Sequence, residues 1–496
     1  MKKSVKITLW IVGVLVGLCA LFITCADVVV SRIAEKKAHE ALAQADLPYN
    51  IGFEHIHVLL MSGCVEVEDI HFGAKGKALK SKDIDTVDVK VPSVAIRHIS
   101  YRDLIKDRKV SIGSVKVRKA CASLKGKGNK MYVEADSLTV VANDLFYSLK
   151  DSTFGFCDSL YEVSLHRLQF RDAEGLTSIE ANDLNTEDGG AITLGKTRIW
   201  NCVGKRELAK IKKEPSTWMD LRLKSVEIAP MNLLRTDFSK GLHIEKVVVK
   251  GQTMEVLRDN RLKPTKPFPM PQTILMAIKF PVKVDRVEFE MPKMDVGVLM
   301  TDKNLGELHL GKMGAVIRDF GTKRGNVMKV DLTAELGKGK AAGVFKMHNN
   351  SECQFDMDLH GKDVEISSLN TLLRPIVAME LDCHIDSLKA KYTGNSSKAT
   401  GQVMFAYHGM QGKVHKGDDI PIKIVQQNAG AIEYFMNHLI PKSNPRNESK
   451  TPLSFNVEVN RDEMQPFPFY VVKPLIIGAV QTFLPGLFQG KKVKEE

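Results

Sequence analysis

The sequence predicts a mainly β protein: an antiparallel sheet with one apolar face, led by one transmembrane helix and closed by a few C-terminal helices. Three observations predict it. A period of two returns along most of the chain, helical periods are scarce, and an uncharged apolar run stands near the N-terminus. In the sheet, Val65 and Val67 alternate with Glu66 and Glu68, and Ile70 and Phe72 continue the stripe. Val284, Val287 and Phe289 repeat the pattern with a slip between them. Met328, Val330, Leu332, Ala334 and Leu336 alternate with Lys329, Asp331, Thr333 and Glu335. Cys353, Phe355, Met357 and Leu359 alternate with Gln354, Asp356, Asp358 and His360, and Leu453, Phe455, Val457 and Val459 alternate with polar neighbours. Strands with one dry and one wet face belong to antiparallel sheets, because parallel sheets covered by helices read as continuous apolar runs.

Composition sets the class. The 496 residues are 44% hydrophobic and 26% charged, which excludes wholesale disorder and a polytopic membrane protein. Lys and Arg outnumber Asp and Glu by 71 to 59, so the net charge is +12 and contact with an anionic surface is favoured. With three Trp and 7% aromatic residues, no stacking surface for sugars or bases is advertised.

Residues Ile7 to Ala26 form a 20-residue stretch without a charge, next to Lys2, Lys3 and Lys6. As a helix it is about 30 Å long, enough to cross a bilayer core. It reads as an uncleaved anchor, with Ile7, Trp10, Gly13, Gly17 and Ala26 along it. A cleaved signal peptide is the competing reading, since Thr24, Cys25 and Ala26 loosely fit a cleavage site. The run is longer than a signal core, and Ser31 to Ala45 continues in strong helix formers. The basic residues flanking the span tie in number, Lys2, Lys3 and Lys6 against Arg32, Lys36 and Lys37, but the early lysines lie closer to the core, which favours an inside N-terminus and an exported body.

An internal repeat follows. Val94 to Lys127 aligns without a gap onto Val226 to Asp259, an offset of 132 residues, so that Val94, Ile96, Val115 and Val117 meet Val226, Ile228, Val247 and Val249. A partial third copy begins at Val364. Repetition of one strand-rich unit suggests a stacked sheet more than three independent cores. The prolines Pro264, Pro267, Pro269 and Pro271 interrupt the sheet and mark the expected boundary. The expected organisation is a cytoplasmic tail at 1–6, a transmembrane helix at 7–26, a helical extension at 27–46, β parts at 47–263 and 273–430 about a proline-rich break at 264–272, and C-terminal helices with a closing strand at 431–496.

The apolar sheet face must be covered by a second sheet, by its own curling, or by something other than protein. The residues alone leave stacked β-sandwich domains and a curled sheet both open. Helical spacing near the end, in Ala431, Ile432, Phe435, Met436, Leu439 and Ile440 and then in Leu475, Ile476, Ala479, Val480, Phe483 and Leu484, supplies the only evident covers. The second stretch is broken by Pro474 and Pro485 and followed by Lys491, Lys492 and Lys494. It reads as a core or sheet-end cap, or as an interfacial or docking helix through Leu475, Ile476, Val480, Phe483 and Leu484.

Catalytic chemistry finds little support, and no metal or cofactor is expected. His55 and His57 share a strand face but have no Cys or carboxylate at ligand spacing, so a solvated face explains them. Neither a P-loop nor a nucleophile elbow is present. The pairs Glu66/Glu68 and Asp356/Asp358 are wet-face alternation. Lys205, Arg206, Lys210, Lys212 and Lys213 lack interleaved aromatics, which favours a solvated helix or loop over a nucleic-acid site. The cysteines are widely spaced without a CxxC, and read as small buried hydrophobes such as Cys353 beside Phe355.

An anchor, a continuing helix and then Ile51 to Phe72 (IGFEHIHVLLMSGCVEVEDIHF) resemble the start of the AsmA-like family of envelope proteins. The segments Ser93 to Leu124 and Lys362 to Val414 resemble later units of that family, with a Ser62-Gly63 turn early and Gly401, Phe405, Tyr407 and Gly409 in a late strand. The resemblance implies an inner-membrane protein whose periplasmic body is an elongated, taco-like β-groove that binds or transfers phospholipid in outer-membrane biogenesis. It also carries much of the expectation of an inside N-terminus and an exported body. The rival implication is a non-enzymatic assembly or scaffold factor for outer-membrane proteins. Expected partners are phospholipid, the inner membrane and outer-membrane or periplasmic proteins, without nucleic acid. The expected groove lining is Val65, Val67, Ile70, Phe72, Val115, Val117, Val247, Val249, Met328, Val330, Leu332, Phe355, Met357, Leu359, Val403 and Phe405.

Overall fold

The computed structural model describes residues 26–44, 50–75, 79, 84–100, 102–103, 106, 109–148, 153–155, 161–186, 191–229, 241–415, 429–438, 440–445 and 451–483. Strand accounts for 61% of the described residues, so the mainly β prediction holds. Contacts divide the protein into two compact units, one holding the described residues up to Lys196 and the other those from Thr197 on.

The first unit opens with helix α1 over residues 26–44. Its strands are β1 (Asn50–Gly52), β2 (His55–Leu59), β3 (Cys64–Lys75), β4 (Ile84–Ile99), β5 (Lys109–Gly126), β6 (Tyr132–Ser148), β7 (Thr153–Gly155), β8 (Tyr161–Arg171), β9 (Thr177–Thr186) and β10 (Ile192–Leu194). Both β1 and β2 pair with β3, and the sheet then runs antiparallel through β4, β5, β6, β8, β9 and β10. Helix α1 turns Asp27, Val30, Ser31, Ala34, Glu35, Ala38 and Leu42 inward at helical spacing. It is tied to the sheet where the Val58 N–H donates to Ser31 Oγ (2.8 Å) and the Leu60 N–H to Asp27 Oδ1 (2.9 Å). His39 stacks on Phe53 with ring centroids 4.3 Å apart.

Left-handed residues interrupt these strands at matching levels. Asp69 in β3 (φ 51°), Lys119 in β5 (φ 48°), Ser137 in β6 (φ 57°) and Asp183 in β9 (φ 52°) all have positive φ. Pairing skips over the first three: Val67 and Ile70 meet Val94 and Val91, while Val117 and Ala120 meet Val140 and Leu138. A bulge inserts one residue, bends its strand and increases its twist. At these levels register changes only between β5 and β6, at Lys119 and Ser137; across Asp69 and Asp183 it is kept because the neighbouring strand takes the same extra step, and the interruptions line up as a crease through the sheet. They also keep the apolar side chains on one face, since a one-residue slip would otherwise turn them over. Asp, with a short polar side chain, is among the residues that tolerate this region best.

The second unit contains β11 (Thr197–Asn201), α2 (Leu208–Lys212), β12 (Ser216–Ala229), β13 (Leu242–Asp259), α3 (Pro271–Ala277), β14 (Val282–Met291), β15 (Met294–Leu299), β16 (Leu305–Leu310), β17 (Met313–Gly321), β18 (Val327–Leu336), β19 (Gly339–His348) and β20 (Phe355–Glu365). It continues through α4 (Asn370–Val377), β21 (Met379–Gly394), β22 (Lys398–Val414), α5 (Ala429–His438), β23 (Ser443–Asn444), β24 (Ser454–Asn460) and α6 (Phe467–Phe483). Within each unit the strands form one hydrogen-bonded sheet, not the two facing sheets of a sandwich.

Two expectations are corrected here. The second sheet is mixed, because β14 and β15 run parallel to β13. Parallel neighbours need a long crossover, and the proline segment with α3 supplies it between Asp259 and Val282. That segment does leave the sheet, but it does not divide the protein, since it is stitched into the second unit. The Phe268 N–H donates to the Glu463 carbonyl (2.8 Å), Met270 lies in the core, and the Gln272 side chain donates to the Cys353 (3.0 Å) and Gln354 (3.1 Å) carbonyls.

The internal repeat is preserved in the pairing. Val94 faces Val117 and Ile96 faces Val115 in the first copy; Val226 faces Val249 and Ile228 faces Val247 in the second. In the partial third copy Val364 faces Ile385, and the connection between them carries α4, packed on β16 and β21. The slip between Val284 and Val287 lies opposite Asp319, which has φ 56°, and β14 keeps its register with β17 across it.

Candidate functional site

The first sheet carries its apolar residues in cross-strand rows. One row is Val67, Val94, Val117, Val140 and Val163. Another is Phe72, Val89, Ala122, Ala135, Leu168 and Ala181, and a third is Ala74, Val87, Leu124, Val133, Phe170 and Ile179. Val65 continues through Ile96, Val115 and Ala142, and Ile70 faces Val91. The longer rows cross from β3 to β9, five strand spacings or about 24 Å. Most of these side chains are only half-buried, and Phe170 is exposed. Among the described residues, α1 is fixed to the first sheet at β2 and the turn after it, while the helices on β12, β16, β21, β22 and β24 belong to the second unit.

The opposite face of the first sheet is charged and cross-linked by ion pairs. Arg118 reaches Glu66 (3.6 Å), Arg167 reaches Glu134 (3.8 Å), His57 reaches Glu68 (3.5 Å), and the Gln169 amide donates to Glu180 (3.1 Å). The carboxylate pair Glu66/Glu68 is therefore wet-face chemistry, as its alternation predicts. Asp356 and Asp358 likewise pair with His348 (3.1 Å) and His360 (3.0 Å). In the basic run, Lys205 pairs with Glu255 and Arg206 donates to the Asp302 carbonyl (3.0 Å), so both cations serve local structure.

In the second unit one row runs Val226, Val249, Phe289, Ala315, Leu332, Gly343, Leu359, Ala390, Val403 and Phe455. Its two ends differ. Val226, Val249, Phe289, Ala315 and Leu332 are half-buried, as are Val247 and Met328, while Val330 is buried. On β20 to β24, α6 covers the row. Phe355 is 0% exposed and lies 5.5 Å from Phe467, 5.6 Å from Tyr470 and 5.9 Å from Phe345 between ring centroids. Tyr392 donates its hydroxyl to the Val471 carbonyl (2.6 Å). Gly478 permits the closest approach, because a Cβ there would stand 2.5 Å from Val403 Cβ.

This cover corrects part of the expected lining. Phe355, Met357, Leu359, Val403 and Phe405 belong to a closed sheet-and-helix core, not to an open face. Leu475 is corrected with them: it packs against that core and is no docking residue. Ile476 is 45% exposed, on the outer side of α6 with Phe469 and Val472, and Val480 is half-buried. Phe483 ends the helix, and Leu484 lies outside the described residues. Pro474 does not break α6, which runs through it with Pro474 itself buried. The anchor residues Ile7, Trp10, Gly13 and Gly17 lie outside the described residues, and Ala26 opens α1. Among the described residues no helix is long and apolar enough to cross a membrane.

The cysteines divide. Cys353 and Cys383 are buried, and burial pushes the Cys383 thiol up to about 12. Cys121 and Cys202 are exposed, against the expectation of buried hydrophobes. The rows on β6, β8 and β9 are absent from the expected lining because the left-handed residues Ser137 and Asp183 break the alternation; the phase slip at Asp136-Ser137 is the signal that marks them. Hydrocarbon and aromatic side chains dominate the open rows, so the chemistry this face offers is apolar binding. Compared with protein-family models and with curated proteins, the chain matches none.

Proposed function

We propose that the protein is a membrane-anchored envelope protein whose creased first sheet forms a trough that binds phospholipid acyl chains. The observation that carries this reading is the set of half-buried apolar rows crossing β3 to β9, backed by a charged opposite face. A contiguous apolar surface beyond a few hundred square ångströms marks a binding site. Each methylene seated on it contributes about 0.8 kcal/mol by leaving water. The rows span about 24 Å against about 15 Å for half of a bilayer core, so one extended acyl chain fits along them.

The half-buried rows on β12 to β18 extend the same reading to the second unit, and α6 then acts as the stopper that closes the face over β20 to β24. The resemblance to AsmA-like proteins supports a periplasmic body, an inside N-terminus and a role in moving phospholipid for outer-membrane biogenesis. Titration of the detergent-extracted full chain with a phospholipid carrying a fluorophore on its acyl chain tests it. Saturable, blue-shifted emission displaced by unlabelled phospholipid is expected. A folded protein that leaves the emission unchanged overturns the reading.

A further inference from the structure

The turn between β2 and β3 is apolar and outward. Leu59 is 49% and Met61 79% exposed. It is fixed to the start of α1 by the bond from the Leu60 N–H to Asp27 Oδ1 (2.9 Å), next to that from the Val58 N–H to Ser31 Oγ (2.8 Å). Three of the outward residues of α1 at that level are apolar too, beside Arg32: Val28 is 52%, Val29 55% and Ile33 53% exposed. Beyond them the outward positions become Lys36, Lys37 and Glu40. Isolated exposed hydrophobics are ordinary, but five at one end of two joined elements form a patch.

We propose that this patch, the Leu59–Met61 turn with Val28, Val29 and Ile33, docks into the headgroup layer of the bilayer. The proposal rests on the reading of Ile7 to Ala26 as an anchor. That uncharged run ends one residue before Asp27, so the patch stands where the chain leaves the hydrocarbon core. From Ala26 to Ile33 the helix rises about 10 Å, the depth to which apolar groups enter a bilayer interface. Arg32 stands beside Ile33, and Lys36 and Lys37 follow one turn on, where cations meet anionic headgroups. β3, the first strand of the apolar rows, begins directly after this turn, so the trough opens at the membrane that supplies its lipid.

Photocrosslinking tests the docking. The full chain carries p-benzoylphenylalanine in place of Met61, Lys75 or Val117 and is reconstituted in vesicles of phosphatidylethanolamine and phosphatidylglycerol. Lipid adducts at Met61 and none at Lys75, which is exposed at the far end of β3, are expected. Protein adducts or no adducts at Met61 overturn the docking, as do equal lipid adducts at Lys75. Val117 separates this from the trough: lipid adducts there without any at Met61 overturn the docking alone. Lipid adducts at Met61 without any at Val117 support the docking and overturn the trough.

Discussion

Replacing Val117 by Asp places a carboxylate at the centre of the row formed by Val67, Val94, Val140 and Val163. In the empty protein the position is half-buried, so the charge keeps water. The stability loss is then mainly the poorer strand propensity of Asp, about 1 kcal/mol. With an acyl chain seated, the same carboxylate loses water and gains no partner, at about 3 kcal/mol. At about 1.4 kcal/mol per decade, affinity for phospholipid falls by about a hundredfold. Phe355→Ala is the opposite case. It empties a fully enclosed site beneath Phe467 and Tyr470 and costs about 3–5 kcal/mol of stability. Urea unfolding and lipid titration of both variants read the two quantities separately. The reasoning is refuted if Val117→Asp binds phospholipid as the parent does, or if it unfolds as easily as Phe355→Ala.

Three further outcomes follow from the same geometry. Gly478→Ala improves helix propensity yet destabilises by about 1–3 kcal/mol in urea unfolding, because its Cβ meets Val403 at 2.5 Å. Lys119→Gly stabilises by about 1 kcal/mol in the same assay, since it relieves a left-handed residue at φ 48°; a loss of stability contradicts the crease. His384 has its pKa raised by a hydrogen bond to Glu365 (2.8 Å), with Asp386 and Asp363 adding to it. A folded-state pKa above the unfolded one gives stability that is complete below about 6.5 and is lost as pH rises through the folded value. His384→Gln therefore flattens the pH dependence of unfolding across that window, and an unchanged profile removes His384 as its source.

Much of the sheet is legible where alternation is unbroken, as in β3 up to Val67, β18, β20 and β24. The repeat is legible to the level of individual pairs, since Val94 with Val117 and Val226 with Val249 are set by local hydrophobic register. What the sequence hides is non-local. A left-handed Ser137 or Asp183 shifts the phase of its strand, and only pairing shows that the apolar side chains return to one face. The helical period of α6 is visible, but its seat over Phe355 and Val403 depends on contacts across more than sixty residues of chain. The same holds for the parallel approach of β14 to β13, which the prolines suggest as a break and the structure uses as a crossover.

Native mass spectrometry of the full chain extracted from its membrane measures the central claim most directly. The account predicts phospholipid that stays bound to the folded protein and is lost in Val117→Asp while the fold is kept. A well-folded protein that is free of lipid, or one whose bound lipid is indifferent to Val117→Asp, contradicts it.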